Sequence, residues 1–312
     1  MAKAIRQVYG ETLAALGGEH PELVVLDADV SSSTQTKFFA QAYPDRFFNM
    51  GIAEANMVAT AAGLAQQGLV PFANTFAIFI SSIGLLPARA LACYGELNVK
   101  LAGTYCGLSD SFDGASHHAT EDITIMRALP NMKVLCPSDA CSTVELTRLA
   151  LETPGPCYLR LSRDVYPDLY SEGTTFVPGQ GSLVRRGTDV TVIACGIMVH
   201  KALEAAQALE QEGISVQVVD MYSIKPIDAD LICRTAAETG AVVTAEEHGV
   251  NGGLGSAVAE VLVKSGRPVP VEMVGVQDTF TESGPYSALL EKYGLDAATV
   301  ERAVRCVLKM KE

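Results

Sequence analysis

Short apolar runs and longer amphipathic stretches take turns along the whole chain. ELVVLDADV (22–30) is apolar and β-branched, and predicts a buried strand ending in Asp27 and Asp29. A helix is predicted from about Ala53 to Gln66, then a strand over LVPFANTF (69–76) and a helix through LLPARALACYG (85–95). The pattern continues with strand NVKLAGTY (98–105), helix ATEDITIMRAL (119–129), strand MKVLCPS (132–138), helix DACSTVELTRLALE (139–152) and strand CYLRLS (157–162). Apolar strands separated by helices of about ten residues imply parallel βαβ units with both sheet faces covered.

The stretch DVYPDLYSEGTTFVPGQGS (164–182) breaks this rhythm with Gly, Pro and other turn residues. Domains are expected at 1–168 and 185–312, with 169–184 as the linker. Beyond it the alternation restarts: strand DVTVIACG (189–196), helix 198–212, strand SVQVVDM (215–221), helix 228–238, strand GAVVTAEE (240–247), helix 252–264 and strand PVPVEMVG (268–275). A closing helix over 296–310 carries Ala297, Val300, Val304, Val307 and Leu308 on one face. The expected fold class is α/β, with two three-layer domains and mostly parallel sheets. Fold alone does not give function.

Composition narrows the classes. The 312 residues are 48% hydrophobic and 19% charged, ample for packed cores. A formal net charge of -13 and the lack of any basic run argue against nucleic acid binding. Eight cysteines are scattered without a CxxC pair, several in apolar runs. They point to a reducing, cytoplasmic setting without a disulfide framework. LVPFANTFAIFISSIGLLPA (69–88) carries no charge, but Pro71, Asn74, Ser81, Ser82 and Pro87 interrupt it. A buried strand followed by a helix suits it better than a membrane span.

Candidate chemistry centres on one residue. Glu54 is the only charge between Phe47 and Ala88. On a helix it shares a face with Met57, Val58, Ala61 and Ala65, none of which can pair with it. A buried carboxylate costs several kcal/mol unless something offsets it, either an arginine such as Arg46 or Arg89 or a basic nitrogen of a ligand. VNGGLGS (250–256) fits a tight turn before a helix rather than a dinucleotide fingerprint, and EEH (246–248) a cap at the end of a strand. The two adjacent histidines of SHHATED (116–122) suit a polar site loop better than a shared metal.

FFNMGIAEANM, NTFAIF, DGASHHATEDI, MRALPNMKVLCPSD and YLRLSR, in that order, resemble the C-terminal half of transketolases. The resemblance runs from about Arg6 to the end of the chain, through EEH…GGLGSAVAEVL and SGPYSALLEKYGL. Split transketolases, in which two chains supply the two halves, are the best match. The resemblance implies thiamine diphosphate as cofactor, with Glu54 holding the aminopyrimidine nitrogen and Phe76, Phe79 and Asp29 lining the same pocket. A carboxylate sharing a proton there favours the imino form whose exocyclic nitrogen deprotonates C2 of the thiazolium. For the sugar substrate it implies Arg6, Ser33 and Arg163 at the phosphate, His117 at the reacting oxygens and Asp113 at the hydroxyls; His118 is placed outside the site. Tyr105 stands where a transketolase usually has His, which points to an unusual sugar.

No Gly-Asp-Gly occurs in the sequence. In the family that motif and a later Asn hold the diphosphate and its Mg²⁺, so no metal ligand is assigned to this chain. The resemblance therefore implies an N-terminal, diphosphate-binding partner subunit in an α2β2 heterotetramer. It also implies two-carbon ketol transfer from a ketose phosphate to an aldose phosphate, as in pentose phosphate metabolism. Rival readings are the β subunit of a 2-oxoacid dehydrogenase decarboxylating component, a 1-deoxyxylulose-5-phosphate synthase-like enzyme, and a non-catalytic subunit that kept the fold.

Overall fold

The computed structural model describes residues 3–311. Among the described residues, twelve strands form two sheets. In chain order they are β1 (Leu23–Asp27), β2 (Phe47–Asn49), β3 (Val70–Phe76), β4 (Lys100–Thr104), β5 (Lys133–Leu135), β6 (Cys157–Arg160), β7 (Ser182–Arg185), β8 (Val190–Ala194), β9 (Val216–Asp220), β10 (Ser223–Lys225), β11 (Val242–Gly249) and β12 (Val271–Val276). The seven-stranded sheet has the order β10-β5-β6-β4-β3-β1-β2 and the five-stranded sheet β12-β11-β8-β9-β7. All neighbours are parallel except the edge strands β10 and β7.

Both sheets are covered on both faces. Val25 belongs to one core cluster while its neighbours Val24 and Leu26 belong to another; Val192 and Ile193 divide the same way. This is why the central strands read as continuous apolar runs rather than alternating ones. The α/β fold with two mostly parallel sheets is thus as expected.

Several elements differ from the expectation. β1 ends at Asp27, not residue 30, because Asp29 adopts a left-handed φ of 66°. The helix expected over 85–95 is broken into a short turn, Leu85–Pro87, and a π-helical stretch, Ala88–Cys93. The helix Ile5–Glu19 lacks a side-chain N-cap and first-turn acids, so it carries no start signal. β7 begins inside 169–184. β10 lies in the second half of the chain yet pairs with β5 of the first sheet, so the halves share a sheet. Among the described residues no helix is long and apolar enough to cross a membrane.

Buried charges tie the two halves together. Arg160, at the end of β6, grips Asp122 through Nε at 2.9 Å and Nη2 at 3.2 Å. The same Nη2 donates to the Glu247 carbonyl of β11 at 2.8 Å. The Glu247 carboxylate in turn accepts from the Leu108 amide at 2.8 Å. Gly107 must be glycine here: φ is 59°, and a Cβ would lie 2.4 Å from the Glu247 carboxyl.

Burial pushes Glu247 up to about 7, against the pull of Arg160, the Leu108 amide and the Tyr286 hydroxyl. An unfolded glutamate titrates near about 4.3. Between those values the folded chain holds a proton that the unfolded chain has lost. The stabilisation is therefore complete at low pH and disappears as pH rises through the folded value. Glu247→Gln stays neutral and still accepts from Leu108. It is expected to flatten the fall in melting temperature between about pH 4.5 and 7, measured by calorimetry. An unchanged slope would remove Glu247 from the linkage.

Candidate active site

The candidate residues gather beyond the carboxyl ends of parallel strands, where α/β sheets leave a crevice. Asp29 follows β1, Glu54 follows β2, Phe76 ends β3, Tyr105 follows β4 and Arg163 follows β6. Arg6 comes from the first helix, and Asp113 and His117 from the long loop after β4.

Glu54 opens the helix Glu54–Gln66 and is 4% exposed. Its one hydrogen bond is from Thr75 Oγ1 at 3.5 Å, long for a hydroxyl donor. Neither Arg46 nor Arg89 pairs with it. Arg46 instead donates to the carbonyls of Gly17, His20 and Leu23. The position in the first helical turn offsets part of the burial, because the helix N-terminus favours negative charge. Gly51, at φ 68°, turns the chain into that helix, and its amide is held by Asn49 Oδ1 at 3.0 Å. Asn49 also donates to Asp29 Oδ1 at 2.8 Å, which fixes the otherwise exposed Asp29.

An aromatic wall follows. Phe76 and Phe79 are half-buried with ring centres 5.9 Å apart. His117 packs edge-on against Phe79 at 5.1 Å and lies 6.1 Å from Phe76. Tyr105 packs at a tilt against Phe76, with ring centres 4.6 Å apart. Contacts therefore run without a gap from Glu54 through Thr75 and Phe76 to His117 and Tyr105.

Past the wall the charge turns positive. Arg6 Nη1 donates to Tyr105 Oη at 2.6 Å and to the Ser33 carbonyl at 3.0 Å. The guanidinium carbons of Arg6 and Arg163 lie 5.3 and 5.4 Å from the Tyr105 ring centre. Tyr105, with a left-handed φ of 58°, is thus flanked by two arginines. Its hydroxyl serves Arg6 rather than standing free. His118 is buried and stays out of the site, bonded to Thr281 Oγ1 at 2.5 Å and the Asp110 carbonyl at 3.2 Å.

Two residues escaped the sequence reading. Thr75 lies inside NTFAIF but carries no role there, and its bond depends on the helix that brings Glu54 across from another strand. Asp110 stands three residues before Asp113, and its carboxyl is pushed up to about 6 by burial and by Asp113. Asp110, Asp113 and His117 bring one ligand atom each within 4.8 Å of one another. The EEH segment divides its work: Glu246 caps the amides of Leu254 and Gly255 at 2.7 and 2.8 Å, while Glu247 reaches the other half.

Fold and site together define a two-domain α/β enzyme subunit with a pocket graded from a buried acid to paired arginines. The profile for the transketolase pyrimidine-binding domain matches residues 1–168, and that for the transketolase C-terminal domain matches 179–300. The chain is 44% identical to a putative transketolase C-terminal section of Methanocaldococcus jannaschii, over 97% of this chain and 95% of that one. It is 40% identical to a 6-deoxy-6-sulfo-D-fructose transketolase subunit of Clostridium sp. strain MSTE9, over 98% and 95%. A solved structure titled as a split gene transketolase, inactive beta4 tetramer, superposes with a TM-score of 0.92 at 52% identity over the whole of both chains. Against human transketolase the identity is 38% over 97% of this chain, which spans 48% of that protein. The chain belongs to the transketolase family and is a transketolase-type subunit; the family is thiamine diphosphate-dependent.

The Tyr105–Arg6 bond yields a test. Tyr105→Phe frees Arg6 Nη1 from one of its two anchors without removing the ring between the arginines. The expected outcome is a KM for a phosphorylated donor raised roughly 10-fold, with kcat less affected. Steady-state kinetics with a phosphorylated and an unphosphorylated ketose decide it. Equal losses on both would separate Tyr105 from anion binding.

Proposed function

We propose that this chain supplies the pyrimidine-binding half of a two-chain transketolase. The assembled enzyme moves a two-carbon ketol unit from a ketose phosphate to an aldose phosphate in the cytoplasm. The observation that carries this reading is Glu54: a buried carboxylate, without a cation, beside an aromatic wall. That arrangement fits a flat, basic heteroaromatic ring such as an aminopyrimidine, and a phosphate or a sugar would not suit it. When bound, thiamine diphosphate supplies the nucleophilic carbon that ketol transfer requires.

This chain's own residues do the rest. Glu54 holds a proton against the ring nitrogen, which relieves the cost of its burial. Phe76 and Phe79 orient the ring and exclude water. Asp29 lines the rim of that pocket. His117 and Asp113 face the reacting oxygens and the hydroxyls of the sugar. Arg6 and Arg163, with the Ser33 segment, take the phosphate, for which guanidinium geometry is suited. Arg6→Ala and Arg163→Ala belong to the same reading.

A partner chain is proposed to hold the diphosphate and Mg²⁺, in an α2β2 assembly. Large apolar side chains support a docking face beside the site. Ile52, 83% exposed, precedes Glu54; Phe112, 66% exposed, precedes Asp113; Phe280, 82% exposed, precedes the Thr281 that holds His118. Contiguous exposed apolar surface marks a face that a partner covers, and each of these side chains adjoins a site residue or its brace in sequence. The donor need not be a common pentose phosphate, since Tyr105 replaces the usual His and a 40%-identical relative is named for a sulfosugar.

Two outcomes test the proposal. The purified chain with thiamine diphosphate and Mg²⁺ is expected to show no ketol transfer, and to gain it when a diphosphate-binding subunit of about 270–300 residues is added, by analogy with split transketolases. Light scattering should give a 2:2 complex. Full activity of the chain alone, or only a 1:1 pair, would refute the assembly.

Glu54→Gln keeps the shape but cannot share a proton. In the assembled enzyme it is expected to slow hydrogen–deuterium exchange at C2 of added thiamine diphosphate on the order of 10²-fold, with the fold intact. Unchanged exchange would give Glu54 a structural role.

A further inference from the structure

Asp110 is 2% exposed and sits between two parts of the site that the proposed function separates. Its Oδ1 faces Arg163 Nη1 at 3.9 Å, too far for a hydrogen bond. Its Oδ2 is buried and receives no hydrogen bond. On the other side lie Asp113 and His117, within the same 4.8 Å group. A buried carboxylate oxygen without a donor is costly, and native structures rarely leave one so unless water, an ion or a ligand completes it.

The loop cannot relax to satisfy it. The Asp110 carbonyl accepts from the Asp113 amide and from His118 Nε2, both at 3.2 Å. The Ser111 carbonyl accepts from the Gly284 amide of the C-terminal domain at 2.9 Å. The backbone at Asp110 is therefore held, and its carboxyl lies beside Arg163, Asp113 and His117. Its raised value of about 6 follows from that burial and from Asp113, offset by His117 and Arg163.

Position tells what would complete it. In ketol transfer C1 and C2 leave with the donor unit, and the C3 hydroxyl becomes the carbonyl of the released aldehyde. Hydroxyls beyond C3 take no part in the chemistry and can be read for identity. Asp113 offers an acceptor for the first of these. Asp110, next to it on the Arg163 side, offers an acceptor one step closer to the phosphate. A ketopentose 5-phosphate has only the C4 hydroxyl between C3 and its phosphate, whereas a ketohexose 6-phosphate has two.

We propose that Asp110 is a specificity-determining residue that accepts a second donor hydroxyl, so that the enzyme favours ketose phosphates of six or more carbons over ketopentose phosphates. This rests on the transketolase reading of the same site. A site built to bond a hydroxyl discriminates strongly against a substrate lacking it, because its own polar group is then left unpaired.

The test compares fructose 6-phosphate with xylulose 5-phosphate as donors for the assembled two-chain enzyme. Asp110→Ala is expected to lower kcat/KM for the hexulose phosphate roughly 10- to 100-fold and that for the pentulose phosphate by less than about threefold. Asp110→Asn, which keeps one acceptor, should fall between. C2 exchange on thiamine diphosphate should be unchanged in both, which shows that fold, assembly and cofactor site survive. Equal losses on the two donors, or no loss on either, would overturn the proposal. So would loss of Zn²⁺ binding by the Asp110→Ala complex with an unchanged donor ratio, because the acidic group would then be a cation site. If wild type transfers from neither donor, the transketolase reading fails together with the proposal; if it transfers and only the Asp110 effect is missing, that reading stands.

Discussion

Arg160 is the constraint from which the site takes its shape. Its guanidinium is buried, so each donor must find an acceptor or the charge becomes prohibitive. The acceptors come from three places: the Asp122 carboxylate, the Ala119 carbonyl at 3.3 Å and the Glu247 carbonyl. Ala119 and Asp122 close the loop that bears Asp110, Asp113 and His117. Glu247 belongs to the other sheet and props the start of that loop through the Leu108 amide. Tyr158 adds a hydroxyl bond to Asp122 at 2.7 Å. One buried cation thus fixes both ends of the loop and the seating of one sheet on the other.

The resulting pocket is graded in charge. At one end Glu54 sits in apolar surroundings, stabilised in part by the start of its helix. At the other, Arg6 and Arg163 flank Tyr105. Between them lie the half-buried rings of Phe76, Phe79 and His117, tilted against one another by 34° to 75°. Each end suits a different ligand chemistry; parallel strands bring Glu54 and Arg163 to one edge, and the first helix adds Arg6. The C-terminal domain contributes no residue to the expected ligand contacts, yet Glu247, Thr281 and Gly284 all brace the loop from that side.

Much of the architecture was legible from local pattern. The central strands announced themselves as apolar β-branched runs because both faces are covered, and the helix expected over 139–152 forms as Ala140–Glu152, with Asp139 outside it as the N-cap of a capping box. Elements without local signals were missed. Helix Ile5–Glu19 has no capping side chain, and β10 is three residues long and depends wholly on a partner strand from the other half. The break at Leu85–Cys93 lies in a stretch whose composition suits an ordinary helix, so only packing distinguishes it.

For the site, sequence alone determined the anomaly of Glu54 and, through collinear motifs, the family. A lone charge among the 42 positions of 47–88 is visible without coordinates, because desolvation cost depends on composition nearby. Tertiary structure decided what each side chain does with its partners. It gave Tyr105's hydroxyl to Arg6, withdrew Arg46 from Glu54, set His118 apart from His117 and left Asp110 with an unmet acceptor. Those outcomes depend on hydrogen bonds within about 3.5 Å between segments tens of residues apart. Such distances are set by how sheets and loops pack, and no periodicity along the chain encodes them.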